Sequence, residues 1–178
     1  SVLAPVKITT HMLMALAIVA ALILIIQKAN PRIERTKYMA NFHKAISYLL
    51  FIFLLQIVFG TQVREFVDHQ LDLGLTKDNW LLNPSIIFYV HRSFSILPLG
   101  IAVYLFWINK RNELGFASTK PLLAGMIIAA FSGMAMYYID FPLGTQPIHL
   151  VIAAILFGQI FYIFLQSRKA KNNISKTK

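Results

Sequence analysis

Five long apolar blocks constrain this chain more than any other feature. They run approximately Ile8–Ile26, Ala45–Phe59, Ser85–Trp107, Pro121–Tyr138 and Pro147–Gln166. At about 1.5 Å per helical residue, each is long enough, or nearly so, to cross roughly 30 Å of hydrocarbon. The second block is the shortest and is expected to extend beyond both ends. In lipid every backbone N–H and C=O must find a partner inside the protein, which leaves helices or closed barrels. No strand-like alternation of useful length occurs, so the predicted fold is all-α: a polytopic membrane bundle of five transmembrane helices. Charge content agrees, because 13% of the residues are charged, against about a quarter in a soluble domain.

The formal net charge is +10. In a soluble protein that excess would point to nucleic acid. Here the basic residues fall between apolar blocks, so membrane topology accounts for them and no nucleic-acid partner is expected. Lys28, Arg32, Arg35, Lys37 and Lys44 lie in the first connection. Lys110, Arg111 and Lys120 lie in the third, and Arg168, Lys169, Lys171, Lys176 and Lys178 follow the last block. The opposite side carries Lys7, Arg64, Lys77 and Arg92, together with Glu65, Asp68, Asp72, Asp78 and Asp140. The positive-inside rule therefore puts the first group in the cytoplasm, with the N-terminus outside and the C-terminus inside. The opening SVLAPVKITT has no initiator Met and no signal-peptide pattern, so the chain is expected to be the back part of a longer protein. A protein starting inside would then need an odd number of helices upstream. No Arg-rich amphipathic transit segment is visible, which favours a bacterial cytoplasmic membrane.

The stretch Gly60–Pro84 reads as a long external loop. Within it, TQVREFVDHQLD has the pattern of an amphipathic turn or two on the membrane surface, and Trp80 that of a headgroup anchor. Pro98 falls inside the third helix and should kink it.

Absence of cysteine excludes disulfides, Cys-ligated zinc, iron–sulfur ligation and thiol nucleophiles, and leaves histidine as the candidate metal ligand. No zincin HExxH, phosphate-binding Gly-rich loop or nucleophile elbow is present. There are five histidines. His43 sits among lysines at the cytoplasmic end and reads as interfacial; His69 reads as solvated. His11, His91 and His149 all lie in the first turns of helices that run inward from the outer face. An interfacial ring is the plain reading for each. The sharper reading for His91 and His149 is ligation of one haem iron by two imidazoles, suited to electron transfer. Arg92 and Arg64, at the same outer level, would grip anionic propionates. Gln146 and Thr145 would supply hydrogen bonds around a ligand. Gly100, Gly125, Gly133, Ala153 and Gly158 would let a flat ring approach, but serve ordinary helix packing equally well. The first and last blocks also resemble each other, with THMLMALAIVAALILI against IHLVIAAILFGQIFYI, so that His11 aligns with His149. Each would close one structural repeat.

Four segments resemble the haem A synthase family. QIVFGTQVRE (Gln56–Glu65) is similar to the end of that family's fifth helix, FYVHRSFS (Phe88–Ser95) to its sixth-helix His-Arg motif, FPLGTQPIHLVIA (Phe141–Ala153) to its eighth-helix motif, and PVKITTHMLMAL (Pro5–Leu16) to the start of its fourth helix. The resemblance implies eight helices in two four-helix halves, of which this chain holds the fourth through eighth. On that basis residues 1–30 are the last helix of an incomplete N-terminal half, 31–44 a cytoplasmic linker, 45–167 a four-helix haem-binding half and 168–178 a basic cytoplasmic tail. It further implies haem b on His91 and His149, and His11 at the site of the substrate, haem O, whose methyl group is oxidised to a formyl to give haem A. The family's catalytic second helix has no counterpart here, so no catalytic residue is assigned and this portion alone is expected to lack the reaction. Implied partners are haem O, a membrane electron donor, haem O synthase and the missing N-terminal half. Two other classes stay open: a bis-histidine b-type cytochrome that only passes electrons, and a membrane scaffold or transporter without cofactor.

Overall fold

The computed structural model describes residues 4–29, 36–81 and 83–176. Arg32, Arg35, Lys178 and the expected boundary at residues 30 and 31 lie outside them. The described residues form six helices: α1 (Ala4–Ala29), α2 (Ala40–Asp72), α3 (Ile86–Phe94), α4 (Ile96–Arg111), α5 (Thr119–Tyr138) and α6 (Thr145–Lys176), with a single 3-10 turn at Lys77–Asn79. No strand occurs among them. Five spans are long and apolar enough to cross a membrane, α3 and α4 together making one of them. The protein is a multi-pass membrane helix bundle.

Helices α2, α4, α5 and α6 pack in a ring, and α1 lies outside it against α2 and α6. The connections mark two ends. At one, the Lys37 N–H donates to the Leu114 carbonyl at 2.9 Å, joining the α1–α2 and α4–α5 connections. At the other, Trp80 and Phe141 meet edge to face at 5.2 Å, joining the α2–α3 and α5–α6 connections. Successive spans therefore alternate in direction. The deepest packing lies toward the first end. Phe42, Ile46, Leu49, Phe53 and Ile57 of α2 recur every three or four residues on one face, and Phe42 stacks on Phe116 at 4.2 Å. Packing loosens toward the other end: the buried residues of α5 are Thr119, Leu122 and Met126, all in its first half.

Two expectations need correction. The region TQVREFVDHQLD is not a separate surface segment; α2 runs unbroken for 33 residues through it. Its Val67 is buried under Trp80 and Phe141, so the periodicity that reads as a surface helix belongs to a span that rises past the hydrocarbon. Trp80 is not a headgroup anchor. It is 7% exposed, and its Nε1–H donates to the Leu75 carbonyl at 2.9 Å. The expected basic tail continues α6 to Lys176. Near Pro98, where a kink was expected, the regular helix is interrupted. Having no N–H, Pro98 cannot bond the Phe94 carbonyl four residues back, and α3 gives way to α4 at Ser95.

Candidate functional site

His91 sits on α3 and His149 on α6, both partly buried toward the looser end. Each ring lies within electrostatic reach of the other. Each is also set against a glycine of the span that precedes its own. A Cβ on Gly60 of α2 would stand 3.1 Å from His91 Cε1, and a Cβ on Gly133 of α5 would stand 3.7 Å from His149 Cε1. The first approach is tight enough that a side chain there would move the ring. These close approaches are what two spans gain from lacking a Cβ at those positions.

One tautomer of His149 satisfies both hydrogen bonds of Ser132. Ser132 Oγ donates its only hydrogen to the Ala129 carbonyl at 2.8 Å. The same oxygen lies 2.7 Å from His149 Nδ1, and both contacts are met together when the oxygen accepts there and the His149 proton is on Nδ1. Its Nε2 keeps a lone pair, the state a metal ligand needs. His91 is held by its main chain, where Gln56 Nε2 donates to the His91 carbonyl at 3.0 Å. His91 Nδ1 and Gln56 Oε1 are both buried with no partner among the described residues.

Among the described residues neither sequence-marked cation, Arg92 or Arg64, has a hydrogen bond to these imidazoles. Arg92 donates from Nη2 to the Tyr138 hydroxyl at 2.8 Å, and its guanidinium lies 5.0 Å over the Tyr137 ring. Arg64 pairs with Asp68 at 2.8 Å and reaches Gln146 Oε1 at 3.5 Å. Thr145 Oγ1 donates to the Pro142 carbonyl at 2.7 Å and so shapes the turn into α6. Ser132, which sequence reasoning passed over, holds the place beside the imidazole that was expected for Thr145 or Gln146. His11 is not part of this group. It is exposed on α1, while Met12 beside it packs into the bundle. His43 lies at the other end, where its Nδ1 is 3.1 Å from Ser167 Oγ and its ring stacks on Phe164 at 5.8 Å. His69 is exposed, as expected.

Among the described residues no cluster of three or more His, Cys, Asp or Glu side chains forms a metal cage. Two imidazoles from different helices would instead suit a group that brings most of its own metal donors.

The profile of the COX15-CtaA family, described as cytochrome oxidase assembly protein, matches residues 1–161. The chain belongs to this cytochrome oxidase assembly family. It is the haem A synthase family that the four motifs resemble, and the match takes in every one of them. No curated protein and no solved structure matches the chain.

Proposed function

We propose that the chain carries haem b between His91 and His149 and forms the electron-carrying part of a haem A synthase. The observation that supports this most is the paired seating of the two imidazoles, each over a glycine, with Nε2 of His149 left as an acceptor. Bound there, the iron porphyrin supplies one-electron redox chemistry.

The chain's own residues do the positioning. His91 and His149 would both hold the iron porphyrin, which assigns them to holding an electron carrier instead of breaking bonds. Ser132 keeps the His149 proton on Nδ1. Arg92, aligned by Tyr137 and Tyr138, pairs with a propionate, and Arg64 with Gln146 offers a second polar contact at the same end. Phe88 stacks on Tyr137 at 5.2 Å, tying α3 to the helix that carries those tyrosines.

The reaction served is oxidation of a methyl of haem O to the formyl of haem A. His11, on the outward face of α1, belongs to the substrate-haem side, in a neighbouring half of the protein. The N-terminal end lies outside a bacterial cytoplasmic membrane and the basic end inside, by the distribution of Lys and Arg. Haem O synthase supplies the substrate, and a membrane donor supplies electrons.

Pigment extraction from protein purified out of cells that make haem O tests this reading. Haem b together with haem O or haem A is the expected result. Haem b alone would assign a cytochrome that only passes electrons, and a preparation with no Soret band would overturn both.

A further inference from the structure

The two histidines are held differently, and the difference leaves one of them incomplete. His149 has an acceptor for its Nδ1–H in Ser132. His91 Nδ1 has no hydrogen-bond partner among the described residues, although the Gln56 main chain lies beside the ring, and one turn of α2 presents both a wall and an amide to it. A Cβ on Gly60 would lie 3.1 Å from His91 Cε1, 3.6 Å from Nδ1 and 3.8 Å from Nε2, so the Cε1 corner of the ring faces α2 with a nitrogen on either side. Gln56 precedes Gly60 by four residues and so shares its face of the helix. Its side chain is 9% exposed and already donates through Nε2 to the His91 carbonyl. Its remaining polar atom, Oε1, is an acceptor without a partner, and His91 Nδ1 is the unpartnered atom of the residue it holds. Buried polar atoms left alone inside a membrane span are costly, and an unpaired donor and acceptor on two residues already bonded to each other call for a common explanation.

We propose that Gln56 is the positioning residue of the His91 ligand. Its Nε2 anchors the His91 main chain, and its Oε1 accepts the Nδ1–H that a neutral imidazole must carry once Nε2 is given to iron. This rests on the haem reading above. The local fold explains why the amide is needed. Helix α3 has nine residues, of which Phe88 is buried, and it is broken from α4 at Ser95. Core packing therefore does little to set its rotation. A two-point hold from α2 fixes both the main chain and the ring, as Ser132 fixes the ring of His149 on the longer α6.

The test uses the haem-loaded chain, read by electron paramagnetic resonance and by redox titration. Gln56→Leu removes both contacts. It should alter the low-spin g-values and shift the midpoint potential upward, because an imidazole with no acceptor at Nδ1–H gives less electron density to iron. Gln56→Glu keeps an acceptor and should bring the potential to the wild-type value or below it. Gln159→Leu is the control, since Gln159 Oε1 is another buried unpartnered acceptor, on α6; it should leave both readings unchanged. Unchanged g-values and potential in Gln56→Leu, the same shift in Gln159→Leu, or equal loss of haem from both Gln56 variants would overturn the proposal. A wild-type protein without a bis-histidine spectrum removes the haem reading itself, whereas a wild-type bis-histidine spectrum that Gln56→Leu does not move removes this inference alone.

Discussion

At the scale of single residues, the site depends on small groups. Ser132 contributes one hydroxyl, which spends its hydrogen on Ala129 and offers its oxygen to His149. Ser132→Ala takes that hydroxyl away from the imidazole edge. Loss of such an outer partner typically weakens a histidine metal site about 10–100-fold. Haem transfer from the variant to apomyoglobin should accelerate by a factor in that range, and Ser132→Thr, which keeps the hydroxyl, should stay near wild type. The two glycines differ in a testable way. Gly60→Ala forces a contact of 3.1 Å on the His91 ring, while Gly133→Ala meets His149 at an ordinary 3.7 Å. The first should lower the haem content of purified protein and the second should not. Arg92→Leu removes the guanidinium held by Tyr137 and Tyr138, and should weaken haem retention or shift its potential; no change in either would refute a propionate role. His91 and His149 were legible in the sequence because a polar ring inside an apolar block is an anomaly. Ser132 and Gly60 were not, since small residues are ordinary in membrane helices, and Ser132 meets a partner 17 positions away in the chain.

Among the elements, the decisive one is the shortest. Helix α3 carries His91 and stands apart from α4 because Pro98 leaves the Phe94 carbonyl without its usual donor. Pro98→Ala restores that N–H and favours one straight helix through Ser95, which re-aims the His91 ring. The ratio of Soret to protein absorbance should fall, while the helical content measured by circular dichroism stays level. The break was legible, because proline acts through covalent structure alone. The five spans were legible for a similar reason, since lipid demands long apolar runs. The length of α2 was not. Past Gly60 it carries Arg64, Glu65 and Asp68, and periodicity alone does not distinguish a helix that lies on the surface from one that continues upward. Burial of Val67 beneath Trp80 and Phe141 decides it, and that contact joins two loops 61 residues apart (141 minus 80).

For the molecule as a whole, α1 is docked by two unlike contacts. Near one end Thr9 Oγ1 lies 2.7 Å from Thr61 Oγ1 and accepts from Gln62 Nε2 at 2.9 Å. Further along, Val19 and Ile23 pack on Gly158, where a Cβ would meet them at 3.5 and 3.4 Å. Gly158→Leu should wedge α1 from α6 and lower the thermal midpoint in detergent. Gly100→Leu, at a glycine with nothing within 4 Å, should not. The polar clasp at Thr61 and Gln62 adjoins Gly60, so the helix carrying His11 is fastened beside the seat of His91. The central claim is that His91 and His149 hold one haem between them. The most direct measurement is the absorption spectrum of wild type beside His91→Ala and His149→Ala, each expressed with ample haem. The account predicts a six-coordinate low-spin spectrum in the wild type that is lost, or turned high-spin, in both variants. A low-spin spectrum that survives either substitution would contradict it.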